Sequence, residues 1–208
     1  MYFCSEFFKK HKMILPIVAY GDPVLKKLGE EINKDYPNLK ELIDNMYETM
    51  DGAYGVGLAA PQIGLPIRLF IVDTSPFAED EALSPEEQKE LKAFKRTFIN
   101  AQIINEEGDE WAFNEGCLSI PDVREDVFRK PNITITYVDE NFEKHTETFT
   151  GLIARVIQHE YDHIEGILFT DKLSTLKKRL IKGKLANISK GKISVDYRMR
   201  FPNQKKKR

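Results

Sequence analysis

The sequence predicts an α+β fold, with antiparallel β-sheets packed around one central helix and a further helix towards each end. Two observations carry this reading. Strand-like segments are grouped early, the last two (Asn132–Val138 and Lys144–Thr150) joined by the turn residues Asp139, Glu140 and Asn141. A single apolar-faced helix, Gly151 to Glu165 and closed by Gly166, follows them.

In chain order, residues 1–12 form a polar and aromatic prefix before Met13-Ile14-Leu15-Pro16-Ile17-Val18, read as a dispensable extension. Between residues 38 and 51, Leu39, Leu42, Ile43, Met46 and Met50 recur at the spacing of an amphipathic helix. Arg68–Asp73 is a short apolar run with a β-branched centre, which predicts a buried strand. Residues 76–92 turn acidic and read as an exposed insertion without chemistry, carrying a short helix capped by Ser84 with Pro85 at its first position. A strand is predicted over 97–104. A last Lys-rich helix is predicted from about Ser174 to Ile188, anchored by Leu176, Leu180, Leu185 and Ile188. The main domain is therefore placed at 13–190, and 191–208 is read as a basic tail whose end is disordered.

Composition narrows the class. A formal net charge of −2 offers no whole-molecule case for DNA or membrane binding. No apolar run approaches the roughly 20 residues that span a bilayer. The first ten residues lack the pattern of a secretory signal. The only cysteines are Cys4 and Cys117, too few for a disulfide framework, so a reducing, cytoplasmic location is expected.

The chemistry concentrates in Gln158-His159-Glu160-Tyr161-Asp162-His163. Residues i and i+4 of a helix share a face, so His159 and His163 can reach one metal ion while Glu160 stays available as a base. Leu152, Val156, His159 and His163 fall on the inner stripe of this helix. A third ligand is needed. Phe169 stands where a third His would lie six residues on, and no Glu follows Glu165. Asp171 and Asp196 remain downstream, as a general metallopeptidase would require. The better candidate is upstream, in Glu115-Gly116-Cys117-Leu118-Ser119, because Cys/His/His leaves an open position for a reactive water. A further segment, Gly55-Val56-Gly57-Leu58-Ala59-Ala60-Pro61-Gln62, allows close backbone approach and places an amide donor nearby.

Together and in this order, the three segments resemble the three motifs of the peptide deformylases, metal-dependent hydrolases that remove the formyl group from the initiator formyl-methionine of nascent polypeptides, releasing formate. The resemblance covers roughly residues 13 to 190. It implies that Cys117, His159 and His163 bind one divalent ion, typically Fe2+, replaceable by Zn2+, Ni2+ or Co2+. It implies that Glu160 is general base and acid, and that Gln62 and the Leu118 N–H face the oxyanion. Glu115 and Arg124 match an ion pair that braces the Cys segment. Gly55, Val56, Gly57, Gly116, Leu152 and Val156 fall where relatives bind substrate. Arg155, on the same turn, is charged, so either its stem lines the methionine pocket or it faces the rim. The expected partners are N-formyl-methionyl nascent peptides and, through the basic tail, a transient ribosome contact.

Overall fold

The computed structural model describes residues 13–204; the prefix 1–12, with Cys4, and residues 205–208 lie outside the described residues. The elements in chain order are β1 (Ile17–Val18), α1 (Leu39–Gly52), β2 (Gly57–Ala59), β3 (Leu69–Asp73), α2 (Pro85–Ala93), β4 (Lys95–Glu107), β5 (Trp111–Cys117), β6 (Ile120–Arg129), β7 (Asn132–Val138), β8 (Lys144–Thr150), α3 (Gly151–Ile164), α4 (Thr175–Ser189) and β9 (Met199–Arg200). This is the α+β architecture the sequence predicts.

One antiparallel sheet of five strands, in the order β2-β3-β4-β7-β8, forms the platform. All five residues of β3 are buried because the sheet is covered on both faces. Phe70 and Val72 join Phe98, Ile135, Ala154 and Ile157 beneath α3. Leu69 and Ile71 point the other way, onto Ile43, Met46 and Met50 of α1. Phe70 stacks on Phe98 with ring centroids 4.7 Å apart. A third cluster fills the space between β6, α4 and the segment Leu168–Leu173. Helix α3 is thus wedged between the sheet and the β5–β6 hairpin. Among the described residues no helix is long and apolar enough to cross a membrane.

Local chemistry explains the helix starts. Ser84 caps α2 with a reciprocal Glu87 bond, and the Ser174 side chain accepts from Lys177 N at the start of α4.

The structure departs from expectation in four places. The β5–β6 hairpin and the β1–β9 pair are strands that were not anticipated. On α4, Leu176 and Leu180 are not anchors: they are exposed, and Ile181, Leu185 and Ile188 carry the packing. The insertion is not wholly external, since Phe77, Leu83 and Leu91 pack against the main core. Of the end expected to be disordered, Arg198–Gln204 are ordered, with β9 pairing in parallel with β1; the rest of that expectation lies outside the described residues. Ile17 N donates to Arg198 O at 2.8 Å and Ala19 N to Arg200 O at 2.9 Å. Those backbone bonds are available to any sequence, so the Lys/Arg content of the segment did not announce them.

Candidate metal centre

Helix α3 brings His159 and His163 one turn apart on its inner face, with ring centroids 5.2 Å apart. The hairpin lays Cys117, the last residue of β5, against them. Cys117 Sγ lies 3.3 Å from His163 Nε2, and one ligand atom from each of Cys117, His159 and His163 lies within 4.8 Å of the others. A soft thiolate with two imidazoles at this separation is a donor set for a borderline divalent metal ion, so the residues fit the group that the sequence pattern implies. Asp171 is instead engaged with Lys26 and with the backbone of Leu168, outside this cluster.

A buried carboxylate orients the cluster. Glu115 Oε2 sits 2.9 Å from His159 Nδ1, leaving Nε2 as the ring nitrogen for a metal. Arg129, at the end of β6, grips Glu115 with both arms of its guanidinium: Nε to Oε1 at 2.7 Å and Nη2 to Oε2 at 2.9 Å. Its Nη1 also donates to Asp162 Oδ2 at 2.6 Å, tying the hairpin back to α3. Arg155 adds a bond from Nη1 to Glu115 Oε1 at 3.0 Å, donates to Trp111 O, and lies over the Trp111 ring. Burial alone would raise the pKa of Glu115, but bonds from Arg129 and His159 hold it well below the usual carboxylate range. Burial likewise opposes charge on His159, yet its bonds to Cys117 and Glu115 keep its pKa raised. Burial and the neighbouring His159 push His163 down.

Arg124 is the first site residue the structure moves. It does not pair with Glu115; its guanidinium bonds Asn114 on the exposed side of the hairpin. Residues alternate faces along β6, so Val123, Val127 and Arg129 point inward and Arg124 points out. Arg129 takes the role the resemblance assigned to Arg124. Arg155 does line the cleft, as expected, but it is 2% exposed and also braces β5 through Glu115 and Trp111.

Glu160 faces a cleft of about 520 Å³ bordered by β2, the β5–β6 hairpin and α3. Its Oε2 has no protein partner, and burial pushes its pKa up to about 7. Gly57 lies hard against it: a Cβ there would stand 2.5 Å from Glu160 Oε1. The glycine of the first motif is therefore required by the approach of β2 to the carboxylate. Gln62, on the 3-10 turn Ala60–Ile63, is buried; its Oε1 accepts from Ala59 N, and its Nε2 points at Cys117 Sγ (3.5 Å) and Ser119 Oγ (3.4 Å). Leu118 occupies the turn between Cys117 and Ile120 and lines the same cleft.

Gly55, Val56, Gly116 and Val156 also line the cleft. Leu152 does not: one turn earlier on α3, it packs on the main core instead. Several lining residues were missed, among them Tyr54, Phe77, Phe113 and the stretch Ser194–Tyr197. The alternation Trp111-Ala112-Phe113-Asn114-Glu115 carried a signal for Phe113, since it puts Phe113 and Glu115 on one face of a strand.

The chain matches the family described as Polypeptide deformylase over residues 14–179. It is 72% identical to a peptide deformylase of Christiangramia forsetii over 94% of this chain and 100% of that one. It is 70% identical to one of Flavobacterium johnsoniae with the same coverage. Among solved structures, the peptide deformylase of Plasmodium falciparum superposes with a TM-score of 0.71 at 34% identity, covering 83% of this chain and 94% of that one. With a Cys/His/His cluster set beside a buried glutamate, and with likeness extending over nearly the whole chain, this protein belongs to the peptide deformylase family.

Proposed function

We propose that this chain hydrolyses the formyl amide of N-formyl-methionyl nascent peptides at the Cys117, His159 and His163 site, with ferrous iron as the resident ion in the cell and Zn2+, Ni2+ or Co2+ able to replace it. The observation that carries the reading is the convergence of three ligand atoms beside an unpartnered carboxylate oxygen in an open cleft. A divalent ion held by Cys117, His159 and His163 would supply Lewis acidity and make hydroxide accessible near neutral pH.

The residues do the rest. Glu115 fixes the ring of His159, and Arg129 fixes Glu115. Glu160 accepts the proton of the attacking water on its free Oε2 and returns it to the leaving amine. Gln62 Nε2 and the Leu118 N–H stabilise charge on the formyl oxygen; removing one such donor typically costs about 3–4 kcal/mol of barrier. Strand β2 ends the five-stranded sheet, so its open edge offers backbone groups to an extended peptide. Gly55, Val56, Gly57, Gly116 and Val156 then flank the substrate, and the tight Gly57–Glu160 contact favours a formyl group over the bulkier acetyl.

Anaerobically purified protein, given formyl-Met, acetyl-Met and unblocked peptides, should release formate from the first alone. Glu160→Ala should abolish release. Cleavage of internal peptide bonds, or undiminished formate release by the variant, would overturn the reading. A cytoplasmic location and a transient ribosome contact through the basic C-terminal residues go with a co-translational substrate. Pelleting with ribosomes across a salt series, with and without residues 201–208, tests the contact; co-sedimentation that ignores both variables counts against it.

A further inference from the structure

After α4 the chain does not leave the molecule. Residues 192–201 run as an extended strap in which Ile193, Val195, Tyr197, Met199 and Phe201 are half-buried, while the residues between them are exposed. The strap is fastened at its far end by the parallel pairing of β9 with β1 and by Arg198 Nη1 donating to Ile14 O at 3.1 Å. Its middle, Ser194 to Tyr197, forms one wall of the cleft that holds Glu160. There the Tyr197 hydroxyl donates to the carbonyl of Leu118 at 2.8 Å.

That bond lands on a sensitive place. Leu118 follows the ligand Cys117 on the hairpin turn. The turn is held from its other sides by Tyr20 N donating to Ser119 O at 2.8 Å and by Gln62 Nε2 near Ser119 Oγ. The phenol adds the contact on Leu118 itself. Burial pushes the Tyr197 pKa up, so the hydroxyl remains a donor across the working pH range.

We propose that Tyr197 is a positioning residue for the deformylation reaction: its bond to the Leu118 carbonyl, delivered by the C-terminal strap, holds Leu118 so that its backbone N–H meets the oxyanion. The proposal rests on the assignment of Leu118 as an oxyanion donor. The rim residue thereby acts on chemistry it does not touch, and the pairing of β9 with β1 anchors it there.

The test is Tyr197→Phe in the full, metal-loaded chain, assayed on a formyl-Met peptide with metal content and hydrogen exchange of the peptide spanning 112–121 measured alongside. One neutral hydrogen bond contributes about 1 kcal/mol, so kcat should fall about five-fold while KM and bound metal stay within about two-fold of the parent. Exchange at the hairpin tip should quicken. An unchanged kcat overturns the proposal, as does a loss of metal in proportion to activity, which would make Tyr197 merely a support for Cys117. Glu160→Ala in the same preparation separates the two ideas. If that variant keeps full activity, the catalytic reading fails, whereas the exchange result still reports whether Tyr197 holds the turn.

Discussion

The contact between Gly57 and Glu160 makes the sharpest prediction. In Gly57→Ala the new methyl carbon would stand 2.5 Å from Oε1, 2.6 Å from Cγ and 2.7 Å from Cδ of Glu160. Carbon contacts are normally about 3.5–4.0 Å, so roughly 1 Å must be found by moving something. The carboxylate tip can swing, but Cγ is too near the backbone to escape, and Glu160 is only 4% exposed. The strand cannot easily yield either, because Gly57 pairs with Val72 inside the core. Overpacking of this kind costs about 1–3 kcal/mol, and a 1 Å misplacement of a catalytic group costs about 100-fold in rate. Gly57→Ala should therefore lower kcat by about two orders of magnitude and keep its metal. Its Tm should drop by about 2–4 °C for each kcal/mol lost. A double-mutant cycle with Glu160→Ala, read in urea unfolding, isolates the cause: once the carboxylate is gone, the methyl should cost little further stability. A wild-type kcat in Gly57→Ala, or additive losses in the cycle, would refute the reasoning.

Two further expectations concern charge. Arg129→Ala takes the bidentate buried cation from Glu115 and the nearest cation from Asp162, leaving only Arg155, His159 and Lys172 to compensate, and should cost about 3 kcal/mol in urea unfolding, whereas Arg124→Ala, on the exposed side of the hairpin, should cost about 1 kcal/mol or less. Equal losses would show that Arg129 does not carry the brace. For Asp73, burial alone would raise the pKa, but bonds from Ser75 and Lys95 win and lower it. A folded pKa below the unfolded one means the stabilisation is present above about pH 4 and fades as pH falls through the folded value. Asp73→Asn should thus lower Tm at pH 7, with the two Tm values converging as the pH falls; a gap that stays constant into strong acid would count against it.

The reach of the sequence is clearest at particular residues. His159, Glu160 and His163 were legible because helical spacing alone places them, and the limits of α1, β7 and α3 were within about one residue for the same reason of periodicity. Cys117 was found because the helix pair lacked a downstream partner. Arg129 was not found: its role depends on which face of β6 turns inward, and that is set by register against β5. Helical spacing put Leu152 on the inner face of α3 and the resemblance placed it at the substrate, yet the packing of α3 on the sheet turned it into the core. The strap shows both sides. Its alternation from Ile193 to Phe201 was written in the residues, though a basic composition suggested a solvated end.

By itself, then, the sequence determined the ligand types, the helix that carries two of them and the general class of the fold, because short-range spacing decides which side chains share a face. Only the tertiary structure decided which arginine neutralises Glu115, how closely Gly57 approaches Glu160, and that β9 pairs with the distant β1. Those features are long-range contacts, and no local periodicity encodes which distant backbone will arrive there.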